Sequence, residues 1–233
     1  MKSNEIHFED LGLIDYKKAW DYQEKLFNEI LQAKSSRSPQ NKETKNHLLF
    51  CEHPHVYTLG KSGDQSNLLI NKNLLKQKGA SFYRINRGGD ITYHGPGQIV
   101  GYPILNLEKF GLGVKDYIFK LEESIIQTLK EYGIESSRLE GATGVWLDVK
   151  NPVEARKICA IGVRASRYVS MHGFAFNVNT DLSFYNLINP CGFTDKGVTS
   201  MEKELGKKSD FKKVQNILLR KFVEIFNAKV NSG

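Results

Sequence analysis

Residues 87–105 read RGGDITYHGPGQIVGYPIL. Two glycines open the stretch, a short strand follows, Gly95-Pro96-Gly97 makes a corner, and an apolar run forms a second strand. Gly88 and Gly89 supply positive φ for a tight turn or let backbone approach a ligand closely. Arg87 is suited to pairing with a phosphate or a carboxylate. Thr92, Tyr93, His94 and Gln98 crowd the same few residues. The glycine spacing and the Lys-Ser/Thr ending of a P-loop are missing, and so is the dinucleotide fingerprint.

Working outward, strands and helices alternate around this stretch. Downstream, Val114, Tyr117, Ile118, Leu121, Ile125, Thr128, Leu129 and Tyr132 trace a helical stripe that Gly133 closes. GVWLDV (144–149), KICAIGV (157–163) and MHGFAFNV (171–178) then read as three strands, and DLSFYNLI (181–188) as a helical turn. A last helix starts near Ser209. Upstream, Tyr16 to Leu31 form an amphipathic helix behind Asp15 as N-cap, and the polar residues 32–46 read as a loop. HLLFCEH (47–53) and SFYRIN (81–86) are strands around a short helix stopped by Gly79. With no repeat, low-complexity tract or proline-rich linker, residues 1–233 read as one α/β domain, a mixed sheet with helices packed on it.

The composition, 40% hydrophobic and 25% charged, suits a soluble globular chain. No segment reaches the length of a membrane span, and the first residues carry no signal-peptide core. Three cysteines make no disulfide framework, which points to the reducing cytoplasm. The net charge of +7 permits acidic partners without naming one. Lysines and arginines are spread along the chain rather than interleaved with aromatics on one element, so nucleic acid is not expected.

The cysteines differ in context. Cys51 and Cys159 sit inside apolar strands and read as buried. Cys191, between Pro190 and Gly192, lies in a turn where a thiol meets solvent. A nucleophilic cysteine needs a nearby cation or base to become thiolate. Lys157, just ahead of the buried run Ile158-Cys159-Ala160, is one candidate, although lysines beside apolar strands usually snorkel to water. His94 and His172, each followed by glycine in a strand, are rivals that equally suit structural hydrogen bonding. Cys51, His53 and His55 alternate as metal ligands on a strand would, but Pro54 interrupts them and no fourth ligand is near, so no metal is expected.

On these residues the chain resembles the lipoyl(octanoyl) transferases. The resemblance runs from CEHPHVYTLG (51–60) through RGGDITYHGPGQIVGYPI and RKICAIGV to HGFAFNVNTDLSFYNLINPCG (172–192). It implies a fold similar to the catalytic domains of biotin and lipoate protein ligases. The implied activity is transfer of an octanoyl group from octanoyl-acyl carrier protein to a lysine of lipoyl domains in 2-oxoacid dehydrogenases and of the glycine cleavage H protein. No cofactor is implied, and a monomer is expected. By the same resemblance Cys191 carries the acyl thioester and Lys157 lowers its pKa. Substrate contacts fall on Arg87, Gly88, Gly89, Asp90, Ile91, Thr92, Tyr93 and His94, on Ala160, Ile161 and Gly162, and on His172, Gly173, Phe174 and Ala175. His55 departs from the family, which often has a second proline there. The alternatives are an ATP-dependent lipoate or biotin ligase, which needs no cysteine nucleophile, and a non-catalytic acyl-carrier binding protein.

Overall fold

The computed structural model describes residues 4–35, 45–189 and 197–232. The chain opens with β1 (Asn4–Leu13), α1 (Tyr16–Ser35), β2 (Asn46–Glu52) and β3 (Val56–Leu59). It continues through α2 (Lys72–Gln77), β4 (Ser81–Arg84), β5 (Ile91–His94), β6 (Gln98–Ile104) and α3 (Val114–Lys130). Then come β7 (Ser137–Leu139), β8 (Ala142–Leu147), β9 (Arg156–Ser166) and β10 (Val169–Asn177). The last elements are β11 (Gly197–Val198), α4 (Met201–Leu205), α5 (Phe211–Phe226) and β12 (Ala228–Ser232).

The main sheet runs β12-β1-β2-β6-β10-β9-β8-β7, with β11 joined to β9. It is mixed: β1 pairs parallel with β12 and β2, and the strands from β2 to β7 pair antiparallel. Helices cover both faces, because each strand between β2 and β9 carries apolar residues on both sides. On one face α3 and α5 bury Leu121, Ile125, Leu218 and Phe222 against Phe50, Val145, Ile158 and Phe176. On the other, Ala19, Leu26, Phe27 and Ile30 of α1 lie on Leu49, Cys51, Val100 and Tyr102. A second sheet, β4-β3-β5, leans on the 3-10 turn Leu182–Leu187 through Tyr57, Tyr93 and Tyr185. Among the described residues no helix is long and apolar enough to cross a membrane.

The expected mixed sheet with flanking helices is present. Several elements differ from the sequence reading. The first helix runs on to Ser35, so the polar loop starts later than residue 32. Its cap is as expected, with the Lys18 N–H donating to Asp15 Oδ1 at 3.1 Å. The strand at 144–149 shifts to Ala142–Leu147 and ends where Asp148 turns with φ of 51°. Strands β1, β3, β7 and β12 were not foreseen. β1 and β12 sit at a half-exposed end of the sheet, where only Ile6 of β1 is buried and no clean alternation is needed.

Candidate active site

A cavity of about 690 Å³ opens between the main sheet and the Arg87 loop. Its walls bring together most of the residues singled out in the sequence: Arg87 to Thr92, His94, Lys157, Ala160 to Gly162, and His172 to Ala175. Strand geometry explains the assembly. β9 and β10 pair antiparallel, with Ala160 opposite Ala175 and Gly162 opposite Gly173, so four small residues make a smooth floor. The Gly88 N–H donates to Val163 O at 2.9 Å and hangs the loop over that floor. Tyr93 is the exception. It does not line the cavity: its ring stacks on Phe184 with centroids 5.0 Å apart, and its hydroxyl hydrogen-bonds His55 Nδ1 at 2.7 Å. His55 also stacks on Phe184 at 4.0 Å, so this departure from the family packs an aromatic column outside the cavity.

Arg87 lines the cavity and is also engaged by its own loop and by β3. Its Nη2 donates to Thr58 O at 2.7 Å and Thr58 Oγ1 at 3.0 Å, and its Nη1 to Gly88 O at 2.9 Å. Arg87, a residue only 8% exposed, ties the glycine loop to β3 through its guanidinium.

The two histidines are buried and neutral. His94 Nδ1–H donates to Gln98 Oε1 at 3.0 Å, and its Nε2 accepts from the Thr58 hydroxyl at 3.3 Å. His172 Nε2–H donates to Asn86 Oδ1 at 2.7 Å. Burial, followed by repulsion from His53 once that ring protonates and from Arg87, holds His94 down to about 3. Burial and then Arg87 do the same for His172, also to about 3. Such imidazoles are weak bases near neutrality. His172 adopts φ of 60°, unusual within a strand. Strict alternation would send its side chain to the core with Phe174 and Phe176.

Lys157 reaches the cavity wall, its Nζ 4.6 Å from the centroid of the Trp146 ring. Cys191 lies outside the described residues. On its N-terminal side the last described residue is Asn189, whose N–H donates to Asn67 O at 2.8 Å. On its C-terminal side the next described residue is Gly197, which pairs with Arg156 while Val198 pairs with Lys157. Cys51 and Cys159 are buried, and desolvation pushes both thiols up. Among the described residues no group of three or more His, Cys, Asp or Glu side chains is arranged to hold a metal ion. His53 turns to Tyr102 and Ile14 O, whereas His55 turns to Tyr93.

Sequence reasoning passed over Tyr16, Tyr102, Trp146, Asn177 and Tyr185, which also line the cavity. Tyr16 and Trp146 sit in apolar patterns that read as core. The pattern carries no sign that one edge of each ring faces a ligand space.

The family described as the lipoyl protein ligase A/B catalytic domain matches residues 15–223. An octanoyltransferase of Flavobacterium johnsoniae is 57% identical over 231 residues, covering 98% of this chain and 99% of its own. One from Parabacteroides distasonis is 58% identical over 221 residues, 95% of this chain and 98% of its own. Among solved structures, a chain of the bipartite lipoate protein ligase system of Thermoplasma acidophilum superposes with a TM-score of 0.70 at 16% identity, over 100% of this chain and 87% of that one. A biotin protein ligase from Aquifex aeolicus, in complex with biotin and ATP, gives 0.52 at 17% identity over 94% and 70%. At such identities these two structures speak for the fold.

Proposed function

The chain belongs to the octanoyltransferases of the lipoyl protein ligase A/B catalytic family, and from that premise we propose that it moves its octanoyl group through a thioester on Cys191. The donor is octanoyl-acyl carrier protein. The acceptor is the lysine of a lipoyl domain or of the glycine cleavage H protein.

One observation carries the reading: both flanks of Cys191 are tied to the wall of the cavity that contains Lys157. Asn189 is held by Asn67, whose Nδ2 donates to the cavity-lining Asp90 at 2.6 Å. Gly197 and Val198 pair beside Lys157. Cys191 is two residues from the first anchor and six from the second, so even extended chain keeps it within roughly 7 Å and 20 Å of them. Pairing of the second anchor with Lys157 supports a Cys191 held near that ammonium.

The chemistry is two acyl transfers, thioester to thioester and then thioester to amide. Thiolate at Cys191 attacks the thioester carbonyl, the carrier thiol leaves, and an acyl-enzyme forms. The acceptor amine then attacks, an amide forms, and Cys191 is released. Thioester-to-amide transfer is downhill, so no ATP or cofactor is needed. An ammonium about 4 Å from the sulfur, at an effective dielectric near 20, favours the thiolate by roughly 4 kcal/mol, or about 3 pKa units. Half of that brings an ordinary thiol close to pH 7. The small floor residues at 160, 162, 173 and 175 leave a track for a straight acyl chain. The net charge of +7 steers an acidic carrier to the site. Residues 1–233 act as one catalytic domain, a monomer working in the cytoplasm, with neither nucleic acid nor membrane as partner.

The test is incubation with octanoyl-acyl carrier protein in the absence of ATP, followed by peptide mass mapping. Octanoyl mass on the peptide holding Cys191, discharged on adding a lipoyl domain, is the expected result. Strict ATP dependence would move the protein to the ligases, and binding without covalent mass would make it an acyl-carrier binder.

A further inference from the structure

Strict alternation along β9 puts Lys157, Cys159 and Ile161 on one face and Ile158, Ala160 and Gly162 on the other. The register with β8 breaks that phase. Val145 pairs with Cys159, yet the next residue, Trp146, pairs with Lys157, so the ladder skips Ile158. This bulge lets Ile158 and Cys159, both fully buried, enter the core beneath α3 together. It also brings Lys157 into step with Ala160 and Gly162 on the cavity wall.

Two neighbours hold the bulge open. Gly144 has φ of 122°, and a Cβ there would stand 2.5 Å from Cys159 O, so the strands approach closely only because it is glycine. Its N–H donates to Glu122 Oε1 at 3.0 Å. Glu122 belongs to α3 and is 7% exposed, and its other oxygen accepts from Arg138 Nε at 3.0 Å. A buried carboxylate with both oxygens engaged is a rigid partner for that N–H. Two residues on, Trp146 Nε1–H donates to Ala142 O at 2.8 Å, which fixes the ring on which the Lys157 ammonium rests.

We infer that Glu122 is a positioning residue: by holding the Gly144 N–H it opens the bulge that turns Lys157 out of the core phase, into the cavity and onto Trp146. The inference rests on the reading of Lys157 as the cation that serves Cys191.

The test follows the pH dependence of Cys191 alkylation by iodoacetamide, mapped by peptide mass so that the two buried thiols do not contribute, together with kcat and KM for octanoyl transfer. Glu122→Met keeps volume and removes the acceptor, whereas Glu122→Gln keeps an acceptor for Gly144. Glu122→Met should raise the alkylation midpoint by roughly one pH unit and lower kcat roughly tenfold, with donor KM little changed. Glu122→Gln should stay near the parent in both. A folded Glu122→Met chain with the parental midpoint overturns the inference, as does a Glu122→Gln chain equally impaired. Should Glu122→Met fail to fold, Glu122→Asp withdraws the acceptor by one methylene, and a parental midpoint there overturns it too. Lys157→Met separates the two layers. An unchanged midpoint in Lys157→Met sinks the reading of Lys157 itself, whereas a shift there without one in Glu122→Met sinks only the role of Glu122.

Discussion

Phe174 lies directly on Gly101: the two are opposite each other in the β10–β6 ladder, and a Cβ at 101 would stand 2.1 Å from Phe174 Cζ. The ring has Phe50 edge-on at 6.0 Å on the core side and the cavity on the other. A methyl group at 101 must therefore displace the ring of Phe174, which lines the cavity where an acyl chain is proposed to lie. Gly101→Ala should cost about 1–3 kcal/mol of stability through overpacking. Transfer of octanoyl should fall more than transfer of a four-carbon acyl group, and Gly101→Ala/Phe174→Leu should recover both losses. Equal loss for both chain lengths, measured as kcat/KM, would remove Phe174 from the wall of the acyl track.

The alternation of β9 shows how far the sequence could be read. KICAIGV announces a buried strand, and Ala160 and Gly162 lie where a cavity floor needs small residues. The same alternation places Lys157 with Cys159 in the core. The bulge that moves it depends on Gly144 and on Glu122, a residue of a helix more than twenty positions upstream, and no local pattern encodes that contact. The partners of Arg87 were hidden for a similar reason. Its sequence neighbours are glycines, and Thr58, which accepts from it, lies on a strand the sequence reading left out. Edge strands such as β12 were invisible because half-exposed segments need no strong apolar pattern. The helices α3 and α5, with wide apolar stripes, were legible almost to their ends.

The Arg87 fork predicts that a lysine will not replace it. A single ammonium cannot reach Thr58 O, Thr58 Oγ1 and Gly88 O in the geometry of the guanidinium. Arg87→Lys should cost about 1–3 kcal/mol, the scale for leaving a buried acceptor unpaired, and should slow transfer by loosening the loop over the floor. Arg87→Met should also let the His172 imidazole titrate higher, since Arg87 is the leading charge holding it down after burial. Imidazole proton shifts followed through a pH titration check this, and an unmoved His172 would contradict it.

Buried histidines make a pH window for stability, carried mainly by His53, His94 and His172, with His47, also lowered by burial, acting in the same direction. Burial holds His53 to about 4, and His94 and His172 to about 3. Each is neutral in the fold and takes up a proton on unfolding once the pH drops below its ordinary value near 6.5. The unfolded chain then binds more protons than the native one, so stability is full above about pH 6.5 and declines as pH falls toward 3. At pH 5 each histidine should remove about 1–2 kcal/mol relative to pH 7. Carboxylates held low by cations, such as Glu204 beside Arg156, act in the same direction but at lower pH. Urea midpoints between pH 7.5 and 5 read the histidine window, and a flat line across it would show that these side chains are not neutral in the fold.

Arg156 joins the first residue of β9 to α4 and clamps the short strand that follows the Cys191 segment. Its Nε and Nη2 fork onto Glu204 Oε1 and Oε2, each at 2.7 Å, and its Nη1 pairs with Asp148. Glu204 also accepts from the Thr199 hydroxyl, and Gly197 pairs with Arg156 itself. The fork is largely shielded from solvent, with Arg156 and Glu204 side chains 25% and 15% exposed, so it should retain more strength than a surface pair. A double-mutant cycle of Arg156→Ala and Glu204→Ala should give a coupling of about 1–2 kcal/mol in urea denaturation. The clamp lies one residue from Lys157 and six from Cys191 on the return path, so loosening it lengthens the tether between them. Arg156→Lys, which keeps the charge but loses the fork, should therefore lower kcat severalfold while leaving KM for the carrier nearly unchanged. A coupling near zero, or a loss confined to KM, would show that β11 is held beside Lys157 by its backbone pairing alone.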